Sequence, residues 1–280
     1  MADAAGAAGA DRSTHQPIRV AVAGYGRLGA ELARGLAESP DIELVGVARR
    51  SAAGDTAHLG GRAVPLSGDL PALLDQTRPR VLVEASLPQA ALANVRAALE
   101  RRIAVVIATS GLDEAIPELS ARAQELGIGV VWAPNLSLGA VVLMHLCAVA
   151  ARFFDHADII EMHRDRKLDA PSGTALHTAR LMAQARERAG EQGFVHPATE
   201  KFTLDEVRGG ELGGVGIHSV RLPGLVAHQQ VIFGGLGQTL TLRHDTSSQE
   251  SYVPGTLLAI RHVVQSRELT EGLAALLGLA

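Results

Sequence analysis

From Ile18 onward, short β-branched runs alternate with longer Ala- and Leu-rich stretches, the pattern of βαβ units and a parallel sheet. Strands are predicted over Ile18–Ala23 and residues 43–47, 81–85, 104–108 and 129–132. Helices are predicted between them, such as 27–37 and 90–101. The fold class is α/β, a Rossmann-type doubly wound parallel sheet.

Past Asn135 the pattern changes to an apolar helix, a strand over residues 158–163, a helix from about Thr174 and a Gly-rich connection over 209–216. Strands over 216–221, 227–233 and 238–244 then follow with only short turns, which predicts a second α+β domain with a mixed, largely antiparallel sheet. The closing stretches, 253–266 and 269–279, read as helices that return to pack on the first domain.

Of 280 residues 47% are hydrophobic but only 3% aromatic, so the core must be built from Ala, Val, Leu and Ile. The net charge of −4, with scattered basic residues, gives no footprint for nucleic acid or an anionic membrane. Residues 1–16 lack a basic start and an apolar stretch and read as a disordered tail rather than a secretory signal. The longest apolar candidate, 139–151, is interrupted by His145 and is too short to span a bilayer. Cys147, the single cysteine, lies in an apolar run and reads as a buried structural thiol. A reducing, cytoplasmic location and a small-molecule ligand are the expectations.

Gly24-Tyr25-Gly26-Arg27-Leu28-Gly29 is a G-x-G-x-x-G between an apolar strand and an Ala-rich helix. Glycines there permit a tight turn and close approach to a pyrophosphate, while the helix start favours negative charge. With thirty glycines in the chain the pattern alone is weak; its strand–turn–helix setting favours dinucleotide binding over a plain tight turn. The second strand ends in Ala48-Arg49-Arg50-Ser51, with no carboxylate to bond a ribose 2′-hydroxyl. Arg49 and Arg50 therefore read either as a site for the 2′-phosphate of NADPH, with NADH possible, or as a solvated loop.

Residues 163–174 read His163-Arg164-Asp165-Arg166-Lys167-Leu168-Asp169-Ala170-Pro171-Ser172-Gly173-Thr174. Ser172, Gly173 and Thr174 at a helix start offer N–H groups and hydroxyls to a carboxylate, and Lys167 and His163 supply proton-transfer groups. The residues alone fit an anion-binding active loop and an ordinary capped helix start equally well.

H-x-x-x-K-x-D-A-P-S-G-T resembles the signature of the dihydrodipicolinate reductase family. The likeness runs from Ile18 to about Leu277. It includes Ala108-Thr109-Ser110-Gly111, Ala133-Pro134-Asn135-Leu136-Ser137-Leu138-Gly139, the stretch 214–224 with His218-Ser219-Val220-Arg221, and Phe233-Gly234. The resemblance implies NAD(P)H-dependent reduction of 4-hydroxy-tetrahydrodipicolinate in the diaminopimelate and lysine pathway. It implies Lys167 as general acid, His163 as its assistant, and Ser172, Gly173 and Thr174 as the carboxylate site for a small anionic cyclic substrate. Ser86, Thr109, Ser110, Gly111, Pro134 and Asn135 would stand on the cofactor side. It further implies a homotetramer built through the second sheets. The expected division is a dinucleotide-binding domain over 17–134 plus 252–280 and a substrate-binding and oligomerisation domain over 135–251.

The chain departs from the family at two expected pocket positions. Arg164 replaces a second histidine, and Gln249 replaces the arginine of H-x-x-x-x-R. The two changes compensate in charge, or they mark a diverged paralogue that reduces another cyclic imine or unsaturated acid. A third departure, Gln238 for glutamate, lies on a strand and bears on packing or subunit contacts. A non-catalytic NADP-binding sensor would not need both His163 and Lys167. Asn135-Leu136-Ser137-Leu138-Gly139 lacks the first glycine of G-x-S-x-G, which disfavours a hydrolase. No H-E-x-x-H or cysteine pair supports a metal, so His196, His218, His228 and His244 read as structural or surface residues.

Overall fold

The computed structural model describes residues 16–51, 55–204 and 207–279. The expected disordered tail, apart from residue 16, lies outside the described residues. Strand β1 (Ile18–Ala23) is followed by α1 (Arg27–Glu38), β2 (Ile42–Ala48), β3 (Thr56–Leu59), β4 (Arg62–Ser67) and α2 (Leu70–Thr77). Next come β5 (Val81–Glu84), α3 (Pro88–Glu100), β6 (Ala104–Ile107), α4 (Ile116–Leu126) and β7 (Val130–Trp132). The second half contains α5 (Leu138–Ala151), β8 (His156–His163), α6 (Gly173–Arg188), β9 (Gly210–Leu212), β10 (Val215–Arg221), β11 (Ala227–Gly235) and β12 (Gln238–Thr246). The chain closes with α7 (Val253–Val263), β13 (Leu269–Glu271) and α8 (Gly272–Leu276).

The large sheet has the order β13-β7-β6-β5-β1-β2-β4-β3. Its central strands are buried at every position of β5 and β6, Val-Leu-Val-Glu and Ala-Val-Val-Ile, as strands covered by helices on both faces must be. Helix α1 turns Leu32, Ala33 and Leu36 toward this sheet, a spacing that repeats once per helical turn. Because β1 pairs with β2 on one side and β5 on the other, the strand order reverses there, opening a crevice beyond the carboxyl ends of β1 and β5.

Two elements differ from the apolar pattern. Residues 269–271, expected to be helical, form β13 and pair in parallel with Val130, Val131 and Trp132. The open edge of β7 presents unpaired N–H and C=O groups, and satisfying them outweighs the weak helical preference of three residues. The β3–β4 hairpin alternates over only the four residues of β3, exposed Thr56 and His58 against buried Ala57 and Leu59; its stronger signal is the Gly60-Gly61 turn, left-handed at both residues.

The second sheet has the order β12-β11-β8-β10-β9. Strand β11 is antiparallel to both β8 and β12, and β9 to β10. The β8–β10 pair is parallel, which requires a crossover, and α6 lies in that connection. Helix α5 is apolar all round because it serves two cores: Val141 and Met144 join the core of the large sheet, while Leu143 and Cys147 join that of the second. Burial pushes the Cys147 thiol up to about 12, so it is an inert packing group. Among the described residues no helix is long and apolar enough to cross a membrane.

Arg186 fastens α6 to the turn between α5 and β8. Only 2% exposed, it donates to the carbonyls of Ala151 (2.8 Å), Phe154 and Gln192 (2.5 Å) and to the Asp155 carboxylate (2.9 Å). Its guanidinium also lies 4.9 Å from the centre of the Phe194 ring. Arg186→Met leaves these carbonyls without donors, and urea unfolding is expected to show a loss of about 2–4 kcal/mol. An unchanged midpoint would remove Arg186 from the list of structural anchors.

Candidate active site

The crevice at β1 and β5 depends on backbone contact. Gly24 has φ +91°, and a methyl there would collide with the backbone of Ser86; a methyl on Gly29 would strike the Gly24 carbonyl. The N–H groups of Gly24 and Tyr25 both donate to the Ala48 carbonyl at 3.0 Å, locking the turn to the end of β2. Gly26 caps α1 without a side-chain hydrogen bond, and no acidic residue stands in the first turn. The first-turn N–H groups therefore face outward without a protein anion, and exposed Arg27 adds positive charge where the helix dipole is already positive. Arg49 and Arg50 are exposed at the end of β2, and neither guanidinium is hydrogen-bonded among the described residues. Leu28 and Tyr25 pack against the large-sheet core.

On the opposite wall, fully buried Glu84 accepts from the Ser86 N–H (2.7 Å) and the Asn94 amide (2.9 Å). Burial raises its pKa, while these bonds oppose the rise. The Thr109 hydroxyl donates to the Ser86 carbonyl at 3.0 Å, and Trp132 Nε1 to the Thr109 carbonyl at 3.3 Å. Ser86 and the 109–111 loop are thus one connected edge, with Ser110 and Gly111 exposed beside it. Pro134 is exposed; Asn135 accepts from the Ser137 N–H at 3.0 Å and starts the turn into α5.

Asn135 also opens onto a second cleft, shared with His163, Ser172, Thr174, Gln229 and Tyr252. His163 ends β8, and its Nδ1 lies 2.5 Å from Oε2 of Glu161, a residue with no exposed surface. Arg221 reaches the same carboxylate with two nitrogens, at 2.9 and 2.7 Å, and the Ser172 N–H reaches it at 3.2 Å. Burial by itself would raise the Glu161 pKa; the hydrogen bonds from His163, Arg221 and Ser219 prevail and hold it at about 2. The Ser172 hydroxyl caps α6 by accepting from the Ala175 N–H at 3.2 Å. Because the Ser172 N–H is engaged by Glu161, the donors left for an anion at this helix start are the N–H groups of Gly173 and Thr174.

Lys167 is not among the cleft-lining residues. Its Nζ donates to the Asp169 carboxylate at 2.6 Å, and this bond holds the Asp169 pKa below the ordinary carboxylate value. Arg164 is half-buried and its Nε has no hydrogen-bond partner among the described residues, and Gln249 begins a single turn over Gln249–Tyr252; neither lines the cleft. The turn instead contributes Tyr252, whose phenol burial raises and the Arg164 charge lowers.

His228 and His244, expected to be structural or surface residues, both line the cleft. His228 Nδ1 bonds Asp245 at 2.8 Å, and burial lowers the His244 pKa. The His244 ring lies over Gly139, where any side chain would collide with it. Gln229 lines the cleft too, with no local motif to mark it: it donates to the Thr178 hydroxyl at 2.8 Å while its carbonyl oxygen has no partner among the described residues. Period-two alternation on β11 and β12 was the available signal, since it puts these side chains on known faces. Nothing in the chain order tells which face meets α5.

Comparison with known proteins places the chain in a family. The profile described as dihydrodipicolinate reductase, N-terminus, matches residues 18–136, and the one described as dihydrodipicolinate reductase, C-terminus, matches 139–277. The chain belongs to the dihydrodipicolinate reductase family. It is 47% identical over 266 residues to the 4-hydroxy-tetrahydrodipicolinate reductase of Moorella thermoacetica, covering 93% of this chain and 98% of that one. The Listeria innocua enzyme of the same name is 40% identical, covering 93% of this chain and all of that one. A dipicolinate-bound dihydrodipicolinate reductase from Paenisporosarcina sp. TG-14 superposes with TM-score 0.80 at 37% identity, covering 93% of this chain and 99% of that chain. An amine dehydrogenase from Mycobacterium smegmatis, at 17% identity and TM-score 0.61, shares the fold. Members of this family are nicotinamide-dependent oxidoreductases.

The low Glu161 pKa makes stability depend on pH. A carboxyl held at about 2 against an ordinary 4.5 contributes stability that is complete above pH 4.5 and lost as the pH falls toward 2. At 1.36 kcal/mol per unit this is about 3 kcal/mol. Thermal unfolding of Glu161→Gln should therefore fall less steeply than wild type across that window; parallel curves would contradict the assignment.

Proposed function

We propose that this chain reduces 4-hydroxy-tetrahydrodipicolinate to tetrahydrodipicolinate in the diaminopimelate and lysine pathway, with NADPH preferred and NADH accepted, in the cytoplasm. The observation that carries the reading is the convergence of His163, the α6 start and Asn135 on one cleft. The family relationship supports the same reaction. Residues 17–134 with 252–280 act as the dinucleotide-binding domain, and 135–251 as the substrate domain.

The nucleotide fits this chain: the uncapped α1 start, the Gly24–Gly26–Gly29 cradle and exposed Arg49 and Arg50 suit a pyrophosphate and a 2′-phosphate. When bound, it supplies a hydride. The N–H groups of Gly173 and Thr174, with the Thr174 hydroxyl, hold a substrate carboxylate at the α6 start. Once the 4-hydroxyl and an adjacent ring proton have left as water, a hydride added to the resulting conjugated ring carbon would leave an enamine-like carbanion that needs a proton. Lys167 gives up that proton after leaving Asp169, and until then its charge stabilises the developing anion. His163 offers Nε2 to the ring, since Nδ1 is committed to Glu161. Arg164, with Nε unpartnered, supplies the positive charge that Gln249 lacks.

Freshly made product of dihydrodipicolinate synthase, supplied with NADPH or NADH, is expected to be reduced by wild type. Lys167→Ala should lower kcat at least a hundredfold, within the range of general-acid removal. Replacing Arg49 and Arg50 together by alanine should raise the KM for NADPH and leave that for NADH nearly unchanged. If wild type is silent but binds NADPH, the diverged-paralogue reading replaces this one.

The chain works as a homotetramer joined through the second sheet. Support comes from apolar side chains exposed in one protomer: Leu236 and Leu240 on the β11–β12 hairpin, Leu146 on α5 and Phe153 just past its end. Sedimentation equilibrium is expected to return four times the protomer mass; a monomer would overturn this assembly.

A further inference from the structure

Glu161 and Arg221 touch the machinery without belonging to it. The Glu161 carboxylate is ionised and so only accepts hydrogen bonds, which obliges His163 to carry its proton on Nδ1. Nε2 is then the one nitrogen that His163 can present to the cleft it lines. Arg221 spans the same carboxylate and, from the nitrogen that meets Oε1, also donates to the Asp169 carbonyl at 2.8 Å. Asp169 in turn holds Lys167 at 2.6 Å, while the other end of the group, the Ser172 N–H, holds the start of α6. One buried pair therefore connects the histidine, the lysine loop and the anion-binding helix start.

Stability does not require such a pair. Apolar side chains of similar volume commonly pack as well as a buried ion pair, whose desolvation offsets its attraction. An apolar pair, however, fixes no tautomer and ties no loop carbonyl. We propose that Glu161 and Arg221 are positioning residues for the reduction: they set His163 in its Nδ1–H form and hold the Lys167 loop and the α6 start in register with it. The inference rests on the reductase reading, and its test separates the two.

The test compares wild type, Glu161→Gln and the double variant Glu161→Leu with Arg221→Met, which leaves no unpaired buried charge. The imidazole 15N shifts of His163, assigned through a His163→Gln control, report the tautomer directly and need no turnover. In the double variant the Nδ1–H signature is expected to give way to a mixture, with kcat falling more than thirtyfold and NADPH affinity within threefold of wild type. Glu161→Gln, which retains an acceptor, should recover part of both. Wild-type shifts, or wild-type kcat, in the double variant would overturn the proposal. Should the double variant fail to bind NADPH and prove unfolded, Glu161→Gln decides: a kcat within twofold of wild type overturns it and a fivefold loss supports it. Failure of wild type itself to turn over the substrate would count against the reductase reading, while the 15N shifts would still judge the positioning.

Discussion

A carboxylate with no exposed surface cannot stay ionised unless its neighbours replace the water it has lost. Glu161 meets that condition with donors from three elements: Arg221 at the end of β10, His163 at the end of β8 and the backbone of Ser172 at the start of α6. Each donor is held in place by satisfying it. The ends of two parallel strands and the first turn of their crossover helix are thereby fixed to one another. Along β8 the buried apolar core ends at Ile159, two residues earlier, so beyond it this constraint fixes the strand end.

The end of β5 contains a second fully buried acid, Glu84, with a similar geometric task. It grips the N–H of Ser86, the residue whose backbone lies against Gly24. The electrostatics differ for a plain reason. Glu84 is met by an amide and an N–H, so burial raises its pKa, whereas Glu161 is met by a guanidinium and an imidazole and stays low. Charged donors hold the Glu161 pKa low and neutral donors leave that of Glu84 raised, while both acids hold a neighbouring loop in place.

Between these sides runs the 135–151 segment. Asn135 shapes the turn, Ser137 caps α5 through the Ala140 N–H, and α5 then divides its side chains between both cores. A helix that packs on two sheets transmits position from one to the other. Gly139 belongs to the same device, since its missing side chain is what lets the His244 ring approach from β12.

Local pattern was enough to define the doubly wound sheet, the glycine-rich turn and the 163–174 segment, because strand and helix periodicity and turn chemistry are properties of neighbouring residues. By type and spacing residues 163–174 fitted an active loop and a capped helix start equally well; the resemblance to the family is what singled out Lys167 and His163. Tertiary structure alone decided that residues 269–271 complete the large sheet, since the open edge they pair with lies in β7, far away in the chain. It alone turned His228, His244 and Gln229 toward the cleft, engaged the Ser172 N–H and placed Lys167 on Asp169. Glu161 itself reads in the chain as one more polar residue on a strand; its importance arises from Arg221, sixty positions later. Burial and long-range pairing are sums over the whole fold, so the short-range order of the chain leaves them open.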